Sequence, residues 1–265
     1  MSDFLEKITR KTLEDLENEK ALCPPGEMKE KALSSPHRIR NFAEALKNGD
    51  GNRKIRVIAE LKKASPSRGL IREDFPCVKL ARSLERSGAA ALSVLTERNF
   101  FLGAPESLER VSGSVSIPVL RKDFILDEYQ IYQSRAIGAD AVLLIAALLD
   151  DAQFRNLYSL ARSLGLHVLA EAHNEEEMKR ILRSGAEIIG INARDLKSFR
   201  TDISQSAELL RAIPADRIRV AESGVMKRED LLARRNAADA FLIGELLMRA
   251  LSPEEKLREL LEPVR

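Results

Sequence analysis

Only two cysteines, Cys23 and Cys77, occur in the 265 residues, and neither stands at a CxxC or metal-ligand spacing. A disulfide framework does not fit that usage, which suits a reducing compartment. Histidine is equally scarce: His37 and His167 build no metal cluster with Glu171 or with any aspartate. There is no GxGxxG and no P-loop, so a nucleotide cofactor has no support. Charge of one sign is missing too. The 43 basic and 41 acidic residues leave a formal charge of +2, which argues against a nucleic-acid or polyanion binder. Small phosphorylated ligands need only local charge and stay possible. The longest apolar run, AVLLIAALL at 141–149, is too short to cross a bilayer. The opening MSDFLEKITRKTLEDLENEK carries acidic residues and no apolar stretch, so it does not read as a signal peptide. The expectation is a cytoplasmic protein with no cofactor, no metal, no nucleic acid and no membrane partner.

What is present is a repeat of alternating elements. Short apolar segments recur from residue 55: IRVIAEL (55–61), AALSVLT (90–96), IPVLRK (117–122), DAVLLIA (140–146), LHVLAEA (166–172), EIIGIN (187–192), RIRVAES (217–223) and DAFLIG (239–244). Helix-like stretches such as LDDAQFRNLYSLARSLG and NEEEMKRILRSG separate them, and SPEEKLRELLE follows the last. Continuous apolar runs suit strands of a parallel sheet buried on both faces, and the intervening helices make each unit βα. Eight such units predict an α/β fold, a (β/α)8 TIM barrel; a doubly wound open sheet is the competitor. The first 50 residues differ. A charged helix is expected over 3–20, CPPG breaks it, and a second helix is expected from about 36 to 47, ended by GDGN. The reading is a helical extension over 1–50 and a barrel over 51–265, together one domain.

Barrel chemistry belongs at the C-terminal ends of the strands. The first strand ends in Glu60 and Lys62, the second in Thr96 and Glu97, the third in Arg121, Lys122 and Asp123, the fifth in Glu171, the sixth in Asn192 followed by Arg194, the seventh in Glu222, Ser223 and Gly224, and the eighth in Gly244 and Glu245. Solvent exposure accounts for one or two polar strand ends, but carboxylates, amines and an amide from five strands can together hold an anion and move protons. Glu60 and Lys62 share a strand face. Burying both under the helices would be costly, so they are read as facing the lumen, with Lys63 turned away. Lys122 is expected to shield Glu60 or Glu171. Crowded by Lys62, it would lose its proton more readily and act as an acid near neutrality; a plain ammonium anchor for a substrate carboxylate is the alternative. His173 is placed past its strand, in a capping or surface role.

AESGV (221–225) and FLIGEL (241–246) carry a phosphate reading. Loops after strands seven and eight of a barrel often bind phosphate, and Gly224 and Gly244 let backbone N–H groups approach an anion. Ser223 could cap or bind, and Glu245 could turn outward while its N–H serves. A plain glycine turn is the other reading of Gly244. In the first loop, ASPSRG (64–69), Ser65 can reach the same phosphate and Arg68 can clamp or cover it.

Over nearly every βα unit, in order, the chain resembles the indole-3-glycerol-phosphate synthase family. The matching stretches are ELKKASPSRG (60–69), LSVLTE (92–97), FFLG (100–103), PVLRKDFILDEYQIYQSRAIGADAVLLI (118–145), LAEAHNEEE (169–177), GINARDL (190–196), AESGV (221–225) and FLIGELLM (241–248). The resemblance implies a tryptophan-pathway barrel with extra N-terminal helices over its mouth. It implies ring closure of 1-(2-carboxyphenylamino)-1-deoxyribulose 5-phosphate to indole-3-glycerol phosphate, with loss of carbon dioxide and water and without cofactor or metal. By motif, Lys122 resembles the general acid of ring closure. Lys62 resembles the lysine that meets the substrate carboxylate and assists dehydration. Glu60 and Glu171 resemble the catalytic carboxylates, and Asn192 and Glu222 the residues that orient substrate. Ser65, Ser223, Gly224, Gly244 and Glu245 match phosphate-binding positions, Phe124 matches an apolar contact to the aromatic ring, and Arg194 is counted with the binding residues. Ala193, where the family commonly has Asn, and Glu245, where some members have Ser, are departures. Two rivals are weighed: a phosphoribosylanthranilate isomerase-like barrel, which would use a strand-end cysteine, and a non-catalytic phosphate-binding barrel.

Overall fold

The computed structural model describes residues 3–47, 55–195 and 200–262. Eight parallel strands close into a barrel: β1 (Arg56–Leu61), β2 (Ala91–Leu95), β3 (Val119–Lys122), β4 (Ala141–Ile145), β5 (His167–Ala172), β6 (Ile188–Asn192), β7 (Ile218–Glu222) and β8 (Ala240–Ile243). Each pairs with its neighbour in sequence, and β8 returns to β1 with Arg56 beside Ala240. All eight segments expected from the sequence are these strands, and the open-sheet alternative falls.

Alternation along each strand, hidden in the apolar runs, sorts residues between two cores. Val57, Ala59 and Leu61 of β1, with Leu92, Val119, Val168 and Ile189, face outward and pack with the helices. Ile58, Ala91, Leu120, Leu143, Leu169, Ile188, Val220 and Leu242 fill the lumen. The outer ring is α4 (Cys77–Arg86), α5 (Pro105–Ser112), α6 (Glu128–Ala136), α7 (Asp151–Ser163), α8 (Glu175–Arg183), α9 (Ile203–Ala212) and α10 (Arg228–Arg234), with α11 (Glu245–Arg249) and α12 (Pro253–Leu261) after β8. Side chains fix where helices start. Asp127 and Asp150 form capping boxes with Gln130 and Gln153 on α6 and α7, which satisfies N–H groups the first turn leaves bare.

The N-terminal extension folds as α1 (Asp3–Leu22), α2 (Pro25–Leu33) and α3 (Phe42–Leu46). CPPG does break the chain, but Pro25 opens a new helix that the sequence reading missed. Proline at the first helical position loses only an N–H that would have no intrahelical partner. The helix expected from residue 36 is confined to α3, capped by Asn41, whose side chain accepts the Glu44 N–H at 2.9 Å. The expected stop at GDGN and the boundary between residues 50 and 51 lie outside the described residues.

The extension reaches both ends of the barrel. Leu5 and Ile8 of α1 are buried in the luminal core near the mouth, and Phe42 and Leu46 of α3 join the same core. Arg40, just before α3, fastens the segment to the opposite end. Its backbone N–H and Nε donate to Asp140, at the start of β4, at 2.7 and 2.8 Å. Asp140 also accepts the Val119 N–H at 2.7 Å and is 1% exposed. Replacing it with alanine strands those donors. Asp140→Ala is therefore expected to cost about 3 kcal/mol, read as a lowered denaturation midpoint. An unchanged midpoint would show that this anchor contributes nothing.

Candidate active site

On β1, β3, β5 and β7 an apolar luminal side chain is followed by a charged one at the last inward position. Glu60 follows Ile58 on β1, Lys122 follows Leu120 on β3, Glu171 follows Leu169 on β5, and Glu222 follows Val220 on β7. Asn192 ends β6 and stands beside Glu222 in register. One cleft receives them all. Its lining includes Glu60, Lys62, Lys122, Glu171, Asn192 and Glu222, and it also includes Ser65, Phe124, Arg194, Ser223, Gly224, Gly244 and Glu245. These thirteen residues thus meet in one place, while Arg68, named as a clamp, stands outside the lining.

The deep end is a set of paired charges. Lys62 Nζ donates to Glu60 Oε2 at 2.6 Å. Lys122 Nζ lies 3.2 Å from Glu171 Oε2 and 3.4 Å from Glu222 Oε2. Asn192 Nδ2 donates to Glu171 Oε1 at 3.2 Å, and Ser223 Oγ and the Arg194 N–H donate to Asn192 Oδ1. The expectation that Lys122 sheds its proton easily is overturned. Burial does favour the neutral amine, but Glu171, Glu222 and Glu60 outweigh it and hold the ammonium well above the usual lysine range. Lys62, meant to crowd it, is tied to Glu60 instead. Two carboxylates around one amine then titrate apart. Burial raises Glu171, but Lys122, His173 and Asn192 hold it well below the usual range. Burial and the charge on Glu171 push Glu222 up to about 8.

Aromatic side chains wall the cleft: Phe4 from α1, Phe101 after β2 and Phe124 after β3. Phe101 and Phe124 have ring centroids 6.1 Å apart, and Phe4 meets Phe100 edge-on at 5.7 Å. Glu97 shapes this wall by accepting the N–H groups of Asn99, Phe100 and Phe101 at 2.7–2.9 Å. Phe124 is held from beneath by Asp123, which accepts its N–H and pairs with the buried Arg121 at 2.9 Å.

At the outer end, Ser223 and Gly224 both have left-handed backbones, with φ 65 and 72. A non-glycine residue there is strained and typical of functional sites. The first loop is a small hairpin in which Ala64 and Ser65 pair with Leu70 and Gly69. Ser65 Oγ is buried without a hydrogen-bond partner and lines the cleft. Glu245 does not turn away, as the sequence reading allowed. Its carboxylate meets Arg68 Nε at 3.0 Å, Arg249 at 3.2 Å and Arg194 at 3.3 Å, and Arg194 also donates to Ser67 Oγ at 2.9 Å.

Sequence reasoning missed Phe4; His173 does lie just past β5, as expected, but its side chain is not at the surface, being 9% exposed and 3.3 Å from Glu171 Oε1. The i, i+2 spacing of Glu171 and His173 was the available signal. Cys77 begins α4 and does not line the cleft, which removes the isomerase-like rival. Among the described residues no three His, Cys, Asp or Glu are grouped to hold a metal, and no helix is long and apolar enough to cross a membrane.

Fold and site together define a (β/α)8 barrel with a charged, aromatic-walled mouth. Comparison with known proteins narrows this. The family model described as Indole-3-glycerol phosphate synthase matches residues 5–260. Proteins of that name are 50% identical in Koribacter versatilis, over 98% of this chain and 100% of that protein, and 48% identical in Alkaliphilus metalliredigens, over 97% of each. The chain belongs to the indole-3-glycerol phosphate synthase family. Solved structures share the fold alone. The 3-hexulose-6-phosphate synthase of Salmonella typhimurium has a TM-score of 0.63 at 13% identity, covering 78% of this chain and 96% of that one. A mutant tryptophan synthase alpha-subunit from Pyrococcus furiosus has 0.61 at 16%, covering 79% and 98%.

The Glu222 shift makes a signed stability prediction. Its folded pKa of about 8 lies above the ordinary 4.5, so its favourable contribution is complete below pH 4.5 and is lost as pH rises toward 8. Glu222→Gln mimics the protonated form. Its melting temperature is expected to match wild type near pH 4.5 and to exceed it increasingly up to about pH 8. A difference that does not grow with pH would overturn the assignment.

Proposed function

We propose that the chain converts 1-(2-carboxyphenylamino)-1-deoxyribulose 5-phosphate to indole-3-glycerol phosphate, carbon dioxide and water. The observation that carries this is the Lys122 ammonium, held between Glu171 and Glu222 at 3.2 and 3.4 Å beside an aromatic wall. In this reading the ammonium serves the carbonyl oxygen of a substrate whose aromatic ring rests against Phe124, both residues lining the same cleft. The family membership of the whole barrel supports the same reading.

Substrate binds in this reading with its phosphate at the outer end, against the backbone N–H groups around Gly224 and Gly244 and the hydroxyls of Ser65 and Ser223. Its ring carboxylate faces Lys62 and Arg194. As the aromatic carbon attacks the ketone carbon, Lys122 gives a proton to the carbonyl oxygen. A developing alkoxide is basic enough to take it even from a strongly held ammonium, and the fixed charge stabilises it beforehand. The carbon–carboxylate bond then breaks, carbon dioxide leaves, and its electron pair restores the aromatic ring. Lys62, hydrogen-bonded to Glu60, protonates the departing hydroxyl. A carboxylate takes the proton that leaves as the indole double bond forms, and Asn192 and Glu222 hold the hydroxyl groups. Paired acids and bases at this depth favour turnover over mere phosphate binding.

Indole-3-glycerol phosphate can be followed by its fluorescence as it forms from synthetic substrate. Wild type is expected to turn over, and Lys122→Ala to lose roughly 10²- to 10⁴-fold in kcat, the usual weight of a positioned general acid, with KM little changed. Near-normal turnover by Lys122→Ala would remove Lys122 from the chemistry.

A further inference from the structure

We infer that His173 and Glu177 form a strut that positions Glu171, fixing its carboxylate between Lys122 and Asn192. His173 does not line the cleft, so it acts through Glu171 and not on substrate. Two residues beyond Glu171, it keeps the same inward face after β5 has ended. Its Nε2 lies 3.3 Å from Glu171 Oε1 and its Nδ1 lies 3.4 Å from Glu177 Oε2. Glu177, in the first turn of α8, is held in turn: Oε2 accepts the His173 N–H at 2.8 Å, and Oε1 accepts Asn174 Nδ2 at 2.7 Å. The Glu177 N–H donates back to Asn174 Oδ1 at 2.9 Å. The strut therefore rests on a capped helix start, a rigid support.

Both ring nitrogens face carboxylate oxygens, Nδ1 within hydrogen-bond reach of Glu177 and Nε2 buried beside Glu171 at ion-pair distance, an environment that favours hydrogen on both and an imidazolium. The charged groups around it are Glu171 from β5 and Glu177 from α8, with Lys122 from β3 and Glu222 from β7 beyond Glu171. Burial opposes the charge, but the carboxylates of Glu171 and Glu177 beside the ring push the histidine up to about 10. The consequence for the site is asymmetry. Glu171 and Glu222 flank one ammonium, and only Glu171 has a second cation against it. His173 thereby selects which of the two carboxylates stays ionised and which takes the proton.

The kinetic arm of the test rests on the proposed function; the spectroscopic arm does not. With only three histidines in the chain, the imidazole ¹⁵N signals of the intact protein can be assigned by comparison with His173→Gln. His173 is expected to stay an imidazolium at pH 8, and Glu177→Gln to lower its pKa by about one unit or more. In turnover, His173→Gln keeps a donor near Glu171 but no charge. It is expected to lose about 10- to 100-fold in kcat, as groups that orient a reacting residue typically do, with KM within about threefold. The acid limb of its pH profile should move to higher pH, because Glu171 has lost a cation. Glu177→Gln should show the same pattern more weakly, which covers the case in which His173→Gln does not fold. A His173 that titrates below pH 7, or variants within about twofold of wild-type kcat, would overturn the strut. An inactive wild type would overturn the proposed function and leave the titration to decide His173.

Discussion

An ammonium carried into the interior of a barrel needs fixed carboxylates around it, and this constraint organises the site. Lys122 points inward from β3 with its side chain 15% exposed, against Glu171 and Glu222, each 1% exposed. Taking such groups out of water costs several kcal/mol per ion, and attraction offsets that only when geometry is good and remaining polar atoms find partners. Two carboxylates and one amine leave an excess of negative charge. The site resolves it unequally: Glu171 gains His173 and Asn192 and stays ionised, while Glu222, whose oxygens accept no hydrogen bond, is driven toward the protonated form. The strain left on Glu222 is the kind of local cost that reactive sites retain.

Space for these carboxylates comes from glycines on neighbouring strands. A β-carbon built on Gly190 would fall against Glu222 Oε1, and one built on Gly244 would fall against Glu60 Oε2. Neither glycine has a positive φ, so their role here is volume and not backbone freedom. Gly190 stands beside Glu171 in the β5–β6 register, so the carboxylate of β7 reaches across β6 toward the lysine of β3 through a gap that any side chain would close. For Gly244, room for Glu60 accompanies the close backbone approach expected of an anion site.

The fold and the gathering of these polar strand ends in one cleft were legible because both follow from strand period. A parallel barrel strand alternates strictly, so Ile58, Glu60 and Lys62 share a face whatever the rest of the chain does, and the same parity places Lys122, Glu171, Asn192 and Glu222. What depends on neighbours far apart in sequence was not legible. The proton affinity of Lys122 was misjudged because Lys62, expected to crowd it, is neutralised by its own i−2 partner, a matter of distance and not of pattern. His173 was given a capping or surface role because strand period ends with the strand. Its burial comes from Glu177, which helix capping by Asn174 brings back over it. The helix α2 was hidden by a proline pair that serves both as a break and as a helix start.

Glu245 stands where the proposed reading puts a phosphate contact, and its surroundings answer its charge. A carboxylate at the first residue of α11 would repel an incoming phosphate if it stood alone. It is instead saturated by Arg68 from the hairpin after β1, Arg194 from beyond β6 and Arg249 from its own helix. Of these three guanidinium groups Arg194 lines the cleft, while Arg68 and Arg249 are half-exposed around the carboxylate. In the proposed reading, the substrate therefore meets an Arg194 already oriented by Glu245 and Ser67, which lowers the ordering cost of binding. A serine at this position would offer a hydroxyl to the phosphate but would leave Arg68 and Arg194 without a common anchor. In the proposed reading, Glu245 thus gives an electrostatic link between the first and last loops of the barrel in place of a direct contact.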